Sequence, residues 1–342
     1  MMAVRAGRYA AIDIGTVTCR MLVADVDASG LHELDREYVI TNLGEGVNAS
    51  GVLKPQAMER VAQAVDGFQC VLARFRTAEH PSIETVAMAT SAARDARNAE
   101  EFAVLLAAHG ETLAVIPGQR EAALSFRGAS SDFAGEGLLV VDVGGGSAEV
   151  VAGRAGADPF MSHSFDIGCR RMTERFFSAD PPTDRELAQA RAWVRADMEP
   201  FFAAVRTAGF VPGRLVAVAG TATSVVSIHE RMEVYDAARV HKTVVSRAVL
   251  DEVCALSLIH IFPPSRVSSR ASRTPRPARC STSRTRPSST TRTGPSSLWG
   301  SPSSSRASPT RTKCPSLLWR YRWTRARPGQ RSSWAKPILC GG

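Results

Sequence analysis

Leu138-Leu139-Val140-Val141-Asp142-Val143-Gly144-Gly145-Gly146-Ser147-Ala148-Glu149-Val150-Val151-Ala152 is the stretch that decides the architecture. Two short apolar runs flank a turn of three glycines, which is the pattern of a β-hairpin whose turn needs backbone angles that side chains disfavour. The first run ends in a carboxylate, Asp142, placed beside the turn. The same plan occurs earlier in the chain, where Tyr9-Ala10-Ala11-Ile12-Asp13 leads through Ile14-Gly15-Thr16-Val17-Thr18 into Cys19-Arg20-Met21-Leu22-Val23-Ala24.

A second pair of signals lies downstream of each hairpin. Val86-Ala87-Met88-Ala89 runs into Thr90-Ser91, and Leu215-Val216-Ala217-Val218-Ala219 runs into Gly220-Thr221, each a strand delivering hydroxyls to a helix start. Thr90 lies 77 residues after Asp13, and Thr221 lies 79 residues after Asp142. The chain therefore repeats one unit, which predicts two similar lobes whose four loops meet at one cleft.

Such loops suit an anion. Glycines allow close backbone approach, and successive N–H groups form a concave nest for phosphate oxygens. Gly15, Gly144, Gly145, Gly146 and Gly220 are the expected approach positions, with Thr16, Thr18, Thr90, Ser91, Ser147 and Thr221 as added donors. Carboxylates repel phosphate but hold a hydrated magnesium or manganese ion that binds it. Asp142 is the first candidate to carry Mg2+ or Mn2+, followed by Asp13 and Glu149.

Average composition misleads here. The formal net charge is +9, yet residues 1–261 hold 25 Lys+Arg against 33 Asp+Glu, while residues 262–342 hold 17 Lys+Arg and no acid. An acidic body thus precedes a basic Ser/Arg/Pro-rich tail, and no nucleic-acid partner is expected for the body. Met1 to Tyr9 lacks the apolar core of a signal peptide, and no apolar run approaches membrane-spanning length, so a cytoplasmic protein without a membrane role is expected. Cys19, Cys70, Cys169 and Cys254 are widely spaced, which favours buried small hydrophobes over a disulfide or zinc site.

Six motifs occur in the order seen in the exopolyphosphatase/guanosine-pentaphosphate phosphatase family, Ppx/GppA. They are Asp13–Thr16 with Arg20, Ala89–Asn98, Gly118–Ala122, Asp142–Glu149, Asp166–Gly168 with Arg171–Arg175, and Ala219–Thr223. That resemblance implies an α/β fold of two ribonuclease-H-like lobes with mixed sheets flanked by helices, as in sugar kinases, Hsp70 and actin. The expected lobes are residues 1–125 and 126–255, the second incomplete. It further implies that Glu121 is the general base for an attacking water and that Arg94 grips phosphate, with Arg20 as a further phosphate ligand. The expected substrate is inorganic polyphosphate or guanosine pentaphosphate (pppGpp), and a homodimer is compatible with the family. The sequence departs from the family pattern at Val17, where asparagine is usual, and at Ala148 in place of threonine.

Leu256–Ile261 matches the in-frame translation of a transposon end used in sequencing adapters, and the composition breaks immediately afterwards. Residues 256–342 are therefore expected to be a non-native, disordered tail arising as an assembly artefact, leaving apolar faces of the body uncovered. Two other readings predict different behaviour: an ATP-dependent kinase or ATPase of the same superfamily, and a polyanion-binding protein that uses the basic tail.

Overall fold

A computed structural model describes residues 5–260. Its elements, in chain order, are β1 (Gly7–Ile14), β2 (Thr18–Asp27), β3 (Gly30–Ile40), α1 (Val47–Ser50), α2 (Pro55–Ala73), β4 (Glu84–Ala89), α3 (Ser91–Asp95), α4 (Ala99–Ala108), β5 (Leu113–Val115) and α5 (Gly118–Ser130). There follow β6 (Gly137–Val143), β7 (Ala148–Arg154), β8 (Pro159–Phe165), α6 (Cys169–Phe176), α7 (Asp184–Thr207), β9 (Arg214–Val218), α8 (Ala219–His229), α9 (Ala237–Val240) and α10 (Arg247–His260).

Both hairpins form as expected, and each founds a mixed sheet. The first has strand order β3-β2-β1-β4-β5 and the second β8-β7-β6-β9. β1 pairs antiparallel with β2 and parallel with β4, while β6 pairs antiparallel with β7 and parallel with β9. The second sheet repeats the first up to its fourth strand. Among the described residues β9 has no strand on its outer side.

Alternation along the strands sets the cores. Ala10, Ile12, Ile14, Cys19, Met21, Val23, Ala87 and Ala89 point to one face of the first sheet and pack with Val61, Val65, Phe68 and Leu72 of α2 and Phe102 and Leu106 of α4. The opposite face is barer: Ala11 and Val86 are register partners on it, and Val86 is 42% exposed. β7 is buried along both faces, because Val151 joins Phe126 of α5 on one side and Val150 joins Phe201 and Val205 of α7 on the other. Residue 125, the expected end of the first lobe, lies inside α5, which packs on β6, β7 and β8.

α7 begins with a reciprocal cap in which the Thr183 hydroxyl accepts from the Glu186 N–H and the Glu186 carboxylate accepts from the Thr183 N–H. Of the four cysteines among the described residues only Cys19 is fully buried; Cys70 and Cys254 are exposed, which corrects the expectation of four buried thiols. They sit on the solvent sides of α2 and α10. The basic tail from residue 261 onward lies outside the described residues.

Candidate active site

The two hairpin turns are built alike. Gly15 N–H donates to the Thr18 carbonyl at 2.9 Å, and Gly144 N–H donates to the Ser147 carbonyl at 3.0 Å. Register then places Arg20 opposite Asp13 and Glu149 opposite Asp142. The parallel neighbours complete the match: Asp13 is level with Met88, two residues before Thr90, and Asp142 is level with Val218, two before Gly220. All four predicted loops thus lie at the same ends of their sheets.

Acids from both lobes converge there. Glu121, in the first turn of α5, accepts from Arg94 Nη1 at 3.1 Å, and Arg94 also donates to the Ile116 carbonyl at 3.0 Å. Burial pushes the Glu121 carboxyl up; Arg94 opposes this, and the charges of Asp13 and Asp142 add to it. Glu149 is 2% exposed and accepts from the Ser164 hydroxyl at 2.7 Å. Burial first and the Glu121 charge second push its carboxyl up to about 7. An outward-facing position on β7 is thereby excluded for Glu149.

Asp142 accepts from the Ser125 hydroxyl at 2.6 Å, which orients one of its oxygens from α5. Protein crowding pushes the Asp13 carboxyl up, with Arg20 opposing and Asp142 adding to the effect. Asp13 is nevertheless open to solvent at its strand end, so water screens much of that push. Arg20 serves as the cross-strand counter-charge to Asp13.

Among the described residues no group of three or more His, Cys, Asp or Glu forms a metal cage. The acids still fit a hydrated magnesium ion, which keeps several waters and binds through one or two carboxylates plus substrate phosphate.

The glycine loop of the second lobe lies against the first lobe. A Cβ on Gly146 would stand 2.5 Å from both Ser91 Oγ and Thr16 Oγ1, and one on Gly145 would stand 2.5 Å from Val17 Cγ2. Gly145 and Gly146 therefore meet the first lobe directly, and Thr16, Ser91 and Ser147 are buried where the lobes touch. Thr90 is buried at the end of β4 and its N–H donates to the Ile14 carbonyl at 3.2 Å. Thr18 is half-buried at the hairpin exit. Gly220 is exposed and Thr221 half-buried at the start of α8, where Ala219 takes a left-handed φ of 67°. Asn98, the last residue of the Ala89–Asn98 motif, holds Leu53 through both its backbone N–H, at 2.8 Å, and its carbonyl, at 3.0 Å.

Sequence reasoning assigned no role to Arg170 or Arg171. Both reach from α6 into the first lobe, Arg170 to Asn42 at 2.8 Å and Arg171 to Ser91 at 3.2 Å and to Asp95. The available signal was the fifth motif, in which Arg171 opens the Arg171–Arg175 run and Arg170 directly precedes it.

Two mixed sheets that repeat one glycine hairpin and bring their acids to one cleft define a phosphohydrolase with an actin-like fold. The Ppx/GppA phosphatase family model matches residues 22–261. Exopolyphosphatase 2 of Mycobacterium tuberculosis is 42% identical over 260 residues, covering 72% of this chain and 78% of that protein. The crystal structure of an exopolyphosphatase-like protein matches with a TM-score of 0.60 at 35% identity, covering 68% of this chain and 72% of the other. A Ppx/GppA family member from Aquifex aeolicus matches with a TM-score of 0.59 at 26% identity, covering 74% and 79%. The chain belongs to the Ppx/GppA phosphatase family, whose members hydrolyse phosphoanhydride bonds.

Proposed function

We propose that the protein is an exopolyphosphatase that removes the terminal phosphate of inorganic polyphosphate, with Glu121 as general base. The observation that carries this reading is Glu121 held by Arg94 at 3.1 Å beside the charges of Asp13 and Asp142. Water attacks the terminal phosphorus in line with the bridging oxygen, Glu121 accepts its proton, and the bridging P–O bond breaks to give orthophosphate and a chain one phosphate shorter. The upward push on Glu121 makes it a better proton acceptor than a free glutamate, while Arg94 keeps its reactive oxygen oriented.

Donors for the transferred phosphate are Arg94 and the N–H groups of the Gly15 and Gly144–Gly146 turns other than those of Gly15 and Gly144, which close the turns, with Thr16, Ser91 and Ser147 lining the lobe contact and Thr90 and Thr221 at the adjoining helix starts. Asp142 and Asp13, with Glu149 behind them, would hold Mg2+ or Mn2+, which neutralises charge on the phosphate oxygens when bound. The close likeness to an exopolyphosphatase from Mycobacterium tuberculosis supports polyphosphate as substrate. We place the end of the first lobe ahead of α5 and the enzyme in the cytoplasm.

The test is phosphate release from polyphosphate and from pppGpp, each with and without magnesium, for the wild type and Glu121→Gln. Metal-dependent release from polyphosphate that the Gln variant loses supports the reading. Release from pppGpp alone moves the substrate assignment to the nucleotide, and equal rates for both proteins remove Glu121 from the base role.

A further inference from the structure

α6 is joined to the second lobe's glycine loop as one rigid piece. The Cys169 N–H donates to the Gly144 carbonyl at 3.0 Å, and the Arg170 and Arg171 N–H groups donate to the Gly145 carbonyl at 2.9 and 3.2 Å. Arg171 Nε adds a bond to the Gly146 carbonyl at 2.8 Å. Contact is so close that a Cβ on Gly168 would stand 2.3 Å from the Gly145 carbonyl carbon. Any motion of α6 therefore moves the Gly144–Gly146 turn with it.

The side chains of the same helix hold the other lobe. Arg170 Nη2 donates to Asn42 Oδ1 at 2.8 Å, and Asn42 sits in the left-handed region with a φ of 50°. Arg171 Nη1 donates to Asn48 Oδ1 at 3.3 Å, while its Nη2 reaches Ser91 Oγ and the Asp95 carboxylate. The Glu174 carboxylate accepts from the Gly46 N–H at 3.3 Å. Arg170 Nε is buried with no hydrogen-bond partner among the described residues. Between these groups remains about 20 Å³, lined by Thr16, Ser91, Asp95, Gly146, Arg170 and Arg171, which is too little for a phosphate group.

We infer that Arg171, assisted by Arg170, is a positioning residue that latches the two lobes together, pressing the Gly144–Gly146 turn onto Thr16 and Ser91 in the closed state. The guanidinium fork suits this role because one end is anchored on its own lobe at Gly146 while the other spans Asn48, Ser91 and Asp95 across the cleft. Closing of the latch brings the glycine and hydroxyl donors of the two lobes to their working geometry. The inference rests on the proposed hydrolysis for its kinetic consequence but not for its structural one.

Amide hydrogen exchange on the full chain, without substrate, is the structural test. In Arg171→Ala, amides of residues 42–48 and 90–95 are expected to exchange roughly tenfold faster, while those of β6 and β7 keep their rates. Asn48→Ala removes an exposed Arg171 partner from the first-lobe side and is expected to speed the same segments. If Arg171→Ala loosens the whole chain, the Asn48 variant decides. Unchanged exchange at 42–48 and 90–95 in that variant overturns the latch.

The kinetic test is polyphosphate hydrolysis. Arg171→Ala is expected to lower kcat about a hundredfold with KM changed less than about threefold, and Arg171→Lys to recover part of the loss. A raised KM with unchanged kcat would mean that Arg171 only binds substrate, and overturns the positioning role. Should the wild type release no phosphate from polyphosphate, the functional reading fails while the exchange experiment still decides the latch.

Discussion

Glu121 and Glu149 are both carboxylates pushed upward by burial, but their partners separate their roles. Glu121 has Arg94 at 3.1 Å and so keeps its charge available to take a proton. Replacing it with Gln preserves shape and the contact to Arg94 while removing the base. kcat is expected to fall roughly 10²- to 10⁴-fold with little change in KM, measured as phosphate release. Among the described residues the hydrogen-bond partners of the Glu149 carboxylate are two hydroxyls, Ser164 and Ser147. Its carboxyl, at about 7 in the fold, lies above the ordinary 4.5, so the folded state binds the proton more tightly and stability is lost as pH rises from about 4.5 through 7. Glu149→Gln is therefore expected to be more stable than wild type at pH 8.5 without divalent metal, by an amount on the order of 3 kcal/mol, and equal to it near pH 4. Urea unfolding at the two pH values checks this, and a constant difference across pH would refute it.

At the scale of elements, two joints carry measurable strain or crowding. Ala219 bridges β9 to α8 with a φ of 67°, which costs a residue bearing a Cβ about 1–2 kcal/mol. Ala219→Gly removes that cost but loosens the unfolded chain, so a net gain of roughly 1 kcal/mol is expected in urea unfolding. Gly153 on β7 shows the opposite case, since a Cβ there would stand 2.8 Å from Phe126 Cζ of α5. That ring is packed between Ala122, Leu138 and Val151 and has nowhere to retreat, so Gly153→Ala should destabilise by about 1–3 kcal/mol. An unchanged unfolding midpoint would show that α5 floats on the second sheet instead of locking into it. α5 carries Glu121 and also Ser125, which orients Asp142, so its seating sets both ends of the site.

For the whole molecule, the acids of the site are held by Arg94, Ser125 and Ser164 and not by one another. Chelating divalent metal is accordingly expected to abolish phosphate release while leaving the circular dichroism spectrum unchanged, and added magnesium should restore activity. Loss of helical signal on chelation would instead make the metal part of the fold. No helix among the described residues is long and apolar enough to cross a membrane. Much of this was legible in the chain: the duplicated hairpins and the strand-to-hydroxyl transitions follow from patterns with periods of two to four residues, which local sterics and apolar alternation impose, while the two mixed sheets followed from the family resemblance. The repeat of Asp13 by Asp142 and of Gly15 by Gly144 could be counted directly. By contrast, the partnership of Arg94 with Glu121, the crowding that lifts Glu149, and the grip of Arg170 and Arg171 on Asn42 and Asp95 join positions that no local pattern connects. Even Gly145 and Gly146, read from sequence as places where backbone meets phosphate, proved also to be where lobe meets lobe. The sequence by itself determined the elements and the chemistry they could carry, because propensity and patterning act within a few residues of the chain. Tertiary structure alone decided which groups share a cleft, because desolvation and charge pairing depend on distances through space that only the closing of the two lobes sets.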